Sequence, residues 1–265
     1  MTEIQEGKKV SVIMPALNEE RSLPHAVANV ICGFEKFSLD GELIIVNDGS
    51  SDRTGDVAEE LAVRFPSVRV LHHPAPEGIG AAFRDALKLA CGEFVVYIPG
   101  DGEIDAAEIL CYTPLMADVD MVVPFVQNPA IRRWSRRALS ACYTLAMNAT
   151  FGISLRYLKG TVLYRRAILE GITIRNPGFF YQAELLIKAV RRKYRYTEVP
   201  YTQQRRIDGR SKSVTLKSLL PVLKGYFCLI GELYLQGREQ SAPQPLSVSA
   251  RKRQENISSS TGSSL

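Results

Sequence analysis

The sequence has no paired cysteines, no long apolar run and few acidic residues in its second half. Its five cysteines are scattered, without the spacing of a metal site, a redox pair or a disulfide framework. Such cysteines indicate a reducing compartment, and their apolar neighbours predict buried free thiols. The sequence begins without an apolar secretion segment, and no run reaches the roughly 18 uncharged apolar residues of a membrane-spanning helix. We therefore expect a cytoplasmic protein.

Acidic residues are concentrated in the first half of the chain. Residues 1–130 carry 9 Lys and Arg against 21 Asp and Glu, whereas residues 131–265 carry 24 against 7. The balances of −12 and +17 predict an anionic partner for the second half. The acidic first half would repel a nucleic-acid backbone, and the sequence has no recognition helix or RNA-binding motif, so no nucleic acid is expected. A phosphate at a membrane surface is the better candidate.

Apolar runs and helical periodicities alternate along the first half. Strands are predicted at 8–14, 42–46, 68–72 and 94–98, with helices between them at 20–37, 54–65 and 80–90. This alternation predicts βαβ units, and hence an α/β fold with a mostly parallel central sheet flanked by helices. Further strands are predicted at 120–125, 158–164 and 196–201, and further helices at 132–150 and 179–192.

An acidic turn follows the apolar strand at 94–98. Asp101 and Glu103 are two residues apart in Pro99-Gly-Asp-Gly-Glu103. Mg²⁺ and Mn²⁺ prefer such carboxylate oxygens, and ligands of open α/β sheets bind beyond the carboxyl ends of strands. A pair of this kind is more often a solvated turn. However, polar turns at 15–20 and 47–52 follow two other strands, and facing carboxylates are costly without a cation. The three turns together predict a cation site.

Four motifs occur in order: PALNEE at 15–20, NDGSSD at 47–52, PGDGE at 99–103 and RIDGRSK at 206–212. Together they resemble the family 2 glycosyltransferases with the GT-A fold, and most of all their polyprenyl-phosphate branch, which includes the dolichol-phosphate mannosyltransferases. The resemblance covers about residues 8–213. The first two motifs are widespread in the family, whereas FYQAE at 180–184, EVP at 198–200 and the final RxxGxSK are more specific to the lipid-phosphate branch.

The resemblance implies a metal-dependent inverting transferase. It would move a hexose from a GDP- or UDP-sugar to a polyprenyl phosphate, with Mg²⁺ or Mn²⁺ held by Asp101 and Glu103. The residues implied in donor nucleotide binding are Pro15, Ala16, Asn18, Glu19, Asp48 and Asp101. Those implied in acceptor phosphate binding are Arg133, Arg136, Ser140, Arg206, Ser211 and Lys212. Asp101, Arg206 and Lys212 would act directly in catalysis. Arg136 and Ser140 are four residues apart and would share one helix face.

The sequence departs from the family pattern at several positions. Pro99 replaces the first Asp of the metal motif, and Glu103 stands where Gln is common, which restores one charge. PFV at 124–126 lacks an arginine that often binds the acceptor, and Arg132 or Arg133 is the candidate substitute. The Asp that often precedes the strand near Gly160 is absent, and Arg156 stands near that place.

Two alternative functions remain open from the sequence. Ala183-Glu184 lacks the Glu-Asp pair that hydroxyl-directed relatives use as a base, but Glu184 alone could serve, so a sugar hydroxyl is the second candidate acceptor. A non-catalytic subunit that binds nucleotide sugars is the other alternative, and Pro99 is the residue that favours it.

The predicted domain organisation is a single catalytic domain over residues 1–238. Residues 8–130 would form the donor and metal half, 131–213 the acceptor half, and 214–238 an amphipathic helix with its apolar stripe at 216–234. This helix and the basic second half predict peripheral binding to the cytoplasmic face of a membrane. Residues 239–265 are rich in Ser, Gln and Arg, with little to bury, and are predicted to be disordered.

Overall fold

A computed structural model describes residues 10–128, 134–158, 160–203, 216–235 and 247–252. These residues form a seven-stranded sheet with the order β3-β2-β1-β4-β6-β5-β7. Neighbouring strands are parallel except where β6 pairs with β4 and β5. The strands are β1 (Val10–Ala16), β2 (Gly41–Asp48), β3 (Val68–His73), β4 (Phe94–Tyr97), β5 (Met121–Val126), β6 (Leu163–Arg165) and β7 (Tyr196–Tyr201). The predicted α/β fold with a mostly parallel sheet is confirmed.

Helices cover both faces of this sheet. They are α1 (Leu23–Lys36), α2 (Thr54–Arg64), α3 (Ile79–Leu87), α4 (Ala107–Leu110), α5 (Trp134–Phe151), α6 (Arg166–Glu170), α7 (Tyr181–Arg191) and α8 (Leu216–Ile230). Successive strand side chains point to opposite faces. Val12 and Met14 of β1 therefore pack with α1 and α2, whereas Ile13 packs with α3, α5 and α7. Burial on both faces explains why the strands are continuous apolar runs.

The direction of the strands determines where the loops meet. Because β6 runs against both β4 and β5, these two strands point the same way. The carboxyl ends of β1, β2, β3, β4, β5 and β7 consequently lie at one edge of the sheet, which we call the carboxyl edge. The motifs at 15–20, 47–52 and 99–103 all follow strands that end there, at the edge where open α/β sheets bind their ligands.

Several local predictions need correction. The strand predicted at 158–164 is short, because Leu155 and Leu158 precede it in a loop whose side chains enter the core. The cysteines form no disulfides, as predicted, but all five are exposed rather than buried. Within the described residues, no helix has both the length and the apolarity to cross a membrane.

The prediction of a disordered tail is wrong for residues 247–252. Asp120 is fully buried at the start of β5, and its carboxylate accepts hydrogen bonds from the N–H of Val248 (2.7 Å) and the hydroxyl of Ser249 (2.5 Å). A buried carboxylate requires such donors. Composition did not predict this order, because the segment is held by polar contacts and buries little apolar area. The rest of 239–265 lies outside the described residues.

Candidate active site

The first two motifs are fastened to each other at the carboxyl edge. Asn18 adopts a left-handed conformation (φ 55°), and its N–H donates to Ser50 Oγ (3.1 Å) while its Oδ1 accepts from the Ser51 N–H (2.8 Å). The N–H of Glu19 donates to Thr54 Oγ1 (2.8 Å). Residues 15–20 and 47–54 therefore form one hydrogen-bonded unit. The structure thus places the predicted donor residues Asn18 and Glu19 in a rigid wall.

Asp48 at the end of β2 has a buried carboxylate, only 4% exposed. Its Oδ1 lies 2.8 Å from His73 Nδ1 and accepts from the N–H of Glu77 (2.9 Å), and its Oδ2 accepts from the N–H of Gly78 (2.9 Å). The sequence predicts direct contact between Asp48 and the donor base or ribose. In the structure this carboxylate contacts the end of β3 and the β3–α3 loop, which use three of about four acceptor positions, and the donor contact stays a prediction.

Gly49 allows the β3–α3 loop to lie close to the loop that follows β2. Gly49 has φ +65°, and a Cβ at this position would lie 2.4 Å from the carbonyl carbon of Ala75. Only a residue without a side chain tolerates both conditions. The glycine of NDGSSD is therefore required for packing between the β2 and β3 loops.

The acidic turn after β4 lies beside the end of β1. The N–H of Gly100 donates to the carbonyl of Pro15 (3.1 Å), and a Cβ on Gly100 would lie 3.3 Å from the Ala16 Cβ. Gly102 has φ +72°, and the N–H of Glu103 then donates to Asp101 Oδ1 (3.1 Å). The structure thus brings the predicted residues Pro15, Ala16, Asp101 and Glu103 together.

The two carboxylates affect the ionisation of the nearby phenol of Tyr97. Burial raises the pKa of Tyr97 well above its usual value, and Tyr181, Asp101 and Glu103 raise this pKa further. Tyr97 therefore stays protonated. A turn with two half-buried carboxylates is the all-oxygen donor set that Mg²⁺ and Mn²⁺ prefer, so Asp101 and Glu103 fit a hard divalent cation.

A cavity of about 840 Å³ lies between α5, the end of β5 and the loop at 155–157. Its walls are mostly apolar, and the polar side chains among them include Arg137, Ser140 and Arg156. The lining residues are Phe125, Val126, Trp134, Arg137, Ala138, Ser140, Ala141, Thr144, Leu145, Asn148, Leu155, Arg156 and Tyr157. The size and the mixture of apolar walls with a few charges are typical of a small-molecule site.

The predicted acceptor residues are only partly covered by the described structure. Ser140 lines the cavity, and its role in acceptor phosphate binding stays a prediction. Arg133, Arg206, Ser211 and Lys212 lie outside the described residues, as does the side chain of Arg136. The predictions for these five residues therefore stay predictions.

Sequence reasoning missed two arginines of the cavity. Arg137 lies three residues before Ser140, a spacing that places two side chains on one helix face and could have revealed it. Arg156 was noted only as a departure from the family pattern. Its guanidinium carbon lies 4.8 Å from the centroid of the Phe125 ring, so the cation is stacked on the cavity wall.

Hydrogen bonds connect the acidic turn to the strands beside the cavity. Gln203 Nε2 donates to Glu103 Oε2 (3.0 Å), and Gln203 and Asn128 exchange two hydrogen bonds of 3.0 Å. Asn128 follows Val126, which lines the cavity. The candidate cation site and the cavity are thus adjacent regions of the same carboxyl edge.

Glu184 is buried, and hydrogen bonds occupy its carboxylate. It is 3% exposed, and its carboxylate accepts from Lys188 Nζ (2.6 Å) and from the N–H groups of Arg175 (3.1 Å) and Asn176 (2.9 Å). These contacts fix the segment before α7 and satisfy the carboxylate. The geometry argues against Glu184 as a catalytic base.

Comparison with known proteins gives consistent results. The family model described as glycosyl transferase family 2 matches residues 11–173. The chain is 29% identical to a polyprenol monophosphomannose synthase of Mycolicibacterium smegmatis, over 79% of this chain and 82% of that protein. It is 28% identical to an undecaprenyl-phosphate mannosyltransferase of Micrococcus luteus, over 77% and 87%. It is 27% identical to a dolichol-phosphate mannosyltransferase of Pyrococcus furiosus, over 77% and 59%.

Among solved structures, the fold resembles glucosyl-3-phosphoglycerate synthase from Mycobacterium tuberculosis in complex with Mg²⁺ and UDP. The TM-score is 0.66 at 22% identity, with 85% of this chain and 80% of that chain covered. At this identity the likeness supports the GT-A fold alone. Since the family model covers more than half of the sequence, the chain belongs to glycosyl transferase family 2 and is a glycosyltransferase.

Proposed function

We propose that the protein transfers a hexose from a nucleoside-diphosphate sugar to a polyprenyl phosphate, with inversion at the anomeric carbon. The observation that carries this proposal is the adjacency of two unlike sites at the carboxyl edge. One is the acidic turn of Asp101 and Glu103, and the other is the apolar cavity with Arg137 and Arg156. A lipid phosphate has both an apolar chain and an anionic head, and this cavity offers surfaces for each. The names of the polyprenyl-phosphate relatives support the same acceptor class.

The proposed reaction needs no general base. The second pKa of a phosphate monoester is about 6, so the acceptor is largely a dianion at neutral pH. One of its oxygens would attack the anomeric carbon while the bond to the nucleoside diphosphate breaks. Two anions must approach each other, and Arg137 and Arg156 would reduce their repulsion and orient the acceptor. The buried state of Glu184 is consistent with this scheme and disfavours a sugar hydroxyl as the acceptor.

Asp101 and Glu103 would hold Mg²⁺ or Mn²⁺, which when bound stabilises the charge of the departing diphosphate. The wall formed by residues 15–20 and 47–54 would accommodate the nucleotide through its backbone groups. Because loop contacts already fix this wall, little ordering would be needed when the donor binds.

A peripheral position at a membrane forms part of the proposal, because α8 is apolar on two faces. Val222, Tyr226 and Leu229 pack on the core, whereas Leu220 is 71% and Phe227 65% exposed. Exposed apolar side chains in a row are unusual for a protein surface that meets only water. An amphipathic helix whose outer face enters the lipid interface accounts for them.

The decisive experiment compares two acceptors that differ by one group. Purified protein with Mn²⁺ and candidate GDP- and UDP-sugars should convert a short polyprenyl phosphate into an acid-labile lipid-linked monosaccharide. The corresponding polyprenol should not react. Efficient transfer to the polyprenol or to a free sugar would overturn the phosphate acceptor, and tight donor binding without any turnover would favour a non-catalytic role.

A further inference from the structure

A second group of ligand-type side chains lies outside the acidic turn. His73 ends β3, Glu77 lies in the following loop and Asp85 lies on α3. One ligand atom from each residue lies within 4.8 Å of the other two. Neither the sugar transfer nor the family resemblance assigns a role to this cluster.

His73 has the orientation of a metal-binding histidine. Its side chain is only 7% exposed, and its Nδ1 lies 2.8 Å from Asp48 Oδ1. A carboxylate oxygen only accepts, so Nδ1 carries the proton and, in the neutral ring, Nε2 has the lone pair. Nε2 faces Asp85 Oδ2 at 3.9 Å, which is longer than a hydrogen bond. A carboxylate that holds the far nitrogen in this way is the usual companion of a histidine ligand.

The two acidic residues are positioned independently. The N–H of Glu77 donates to the same Asp48 carboxylate (2.9 Å), so Asp48 fixes both Glu77 and His73. Asp85 binds Lys88 Nζ through Oδ1 (2.5 Å) and presents Oδ2 to the histidine. Arg84 lies 3.6 Å from this same Oδ2 and is the competing cation.

We propose that His73 Nε2, Glu77 and Asp85 bind one Zn²⁺ ion that clamps the β3–α3 loop. Ligands bound at about 2.0–2.2 Å in a tetrahedron are about 3.3–3.6 Å apart, so the gap of 3.9 Å between Nε2 and Oδ2 closes by a small rotation. The exposed Glu77 side chain can follow, and water would complete the coordination. A nitrogen ligand selects zinc over magnesium and distinguishes this site from the all-oxygen turn at Asp101.

The test measures zinc binding to untagged full-length protein that carries Asp101→Asn, so that the acidic turn does not contribute. Equilibrium dialysis should give one bound Zn²⁺, retained in millimolar Mg²⁺, and Co²⁺ should give the strong visible absorption of a tetrahedral site. Glu77→Gln and Asp85→Asn should each weaken zinc binding by at least about tenfold. Arg84→Gln should strengthen it, because the competing cation is removed.

His72→Gln is the matched control, since this neighbouring histidine binds Asn47 and Glu59 instead. Zinc affinity in this variant should match that of the parent. Circular dichroism of each variant distinguishes ligand loss from unfolding, and the exposed Glu77 gives a variant that should remain folded. Absence of zinc binding by the parent would overturn the site, and so would zinc affinities of Glu77→Gln and Asp85→Asn that equal the affinity of the parent.

Discussion

The acidic and basic halves of the molecule hold their polar groups in different ways. In the acidic half, loops at the carboxyl edge are bonded to one another, as when Asp48 fixes the β3–α3 loop or Asn18 joins Ser51. In the basic half, two arginines lie in an apolar cavity, and α5 and α8 expose Trp134 and Phe227. The first arrangement suits a compact, strongly charged ligand. The second suits a ligand with a long apolar part.

The largest effect is expected when the acidic half loses its cation ligand. Asp101→Asn should lower the turnover of a suitable donor by at least about a hundredfold, because an amide oxygen does not supply the charge that a cation at the diphosphate requires. Initial rates at saturating Mn²⁺ check this expectation. Chelation with EDTA should cause the same loss, and added Mn²⁺ should reverse it.

The neighbouring carboxylate provides the matched control. Glu103→Gln introduces the residue that is common at this position in the family, so it should cost at most about tenfold in rate. Since Asp101 is half-buried in a turn, both variants should unfold at nearly the same temperature as the parent. Full activity of Asp101→Asn would show that the acidic turn is not the cation site. The acidic half would then not be the part of the molecule that binds the charged diphosphate through a cation.

The sequence predicted those features that depend on neighbouring residues. The strand at 196–201 was located to the residue, and the acidic turn was located because a glycine-containing segment follows an apolar run. Contacts distant in sequence were missed. The register of β2 and β3 places Asp48 opposite His73, and no local pattern encodes that register. Arg156 reaches the cavity only through the path of an irregular loop.

A second prediction concerns the C-terminal residues of the basic half. Asp120→Asn should lower the free energy of unfolding by about 2–4 kcal/mol, because a buried charge that accepts several N–H and O–H donors is removed. Ser249→Ala removes one of these donors and should cost only about 1 kcal/mol. Urea unfolding measures both. If Asp120→Asn is neutral, residues 247–252 contribute nothing to the stability of β5.

A third prediction tests the two faces of α8. Leu223→Ser with Phe227→Ser should weaken binding to anionic liposomes by at least about tenfold, because each exposed apolar side chain contributes on the order of 1 kcal/mol or more at the interface. Donor binding should not change. Salt should weaken liposome binding of the parent, since basic residues contribute to it.

The inner face of the same helix is the control. Ile230 packs against the core, so Ile230→Ser should lower the unfolding temperature. The outer-face variants should instead weaken liposome binding without lowering that temperature. If liposomes never bind the parent protein, or if the outer-face variants bind as well as the parent, the exposed face of α8 contacts something other than a membrane.

The smallest expected effect tests the hydrogen bonds of Asp52, which connect the 15–20 and 47–54 loops of the acidic half. Burial alone would raise the pKa of Asp52, but hydrogen bonds from the Thr54 hydroxyl and N–H and from the Glu20 N–H hold it below the usual value. The charged form is therefore favoured by folding. This stabilisation is present above the unfolded pKa of about 3.9 and is lost as the pH falls through the lower folded pKa.

Asp52→Asn should consequently lower the unfolding temperature by about 1–3 °C at pH 7. The difference from the parent should shrink below about pH 4, because Asp52 is then protonated first in the unfolded parent and at lower pH also in the folded parent. Asp56→Asn is the matched control, because Asp56 is an exposed carboxylate 3.7 Å from Arg53 and such surface pairs contribute little. Scanning calorimetry from pH 3 to 7 separates the two. An equal decrease in unfolding temperature at every pH would mean that Asp52 acts through packing. The charge of Asp52 would then not stabilise the contact between the 15–20 and 47–54 loops.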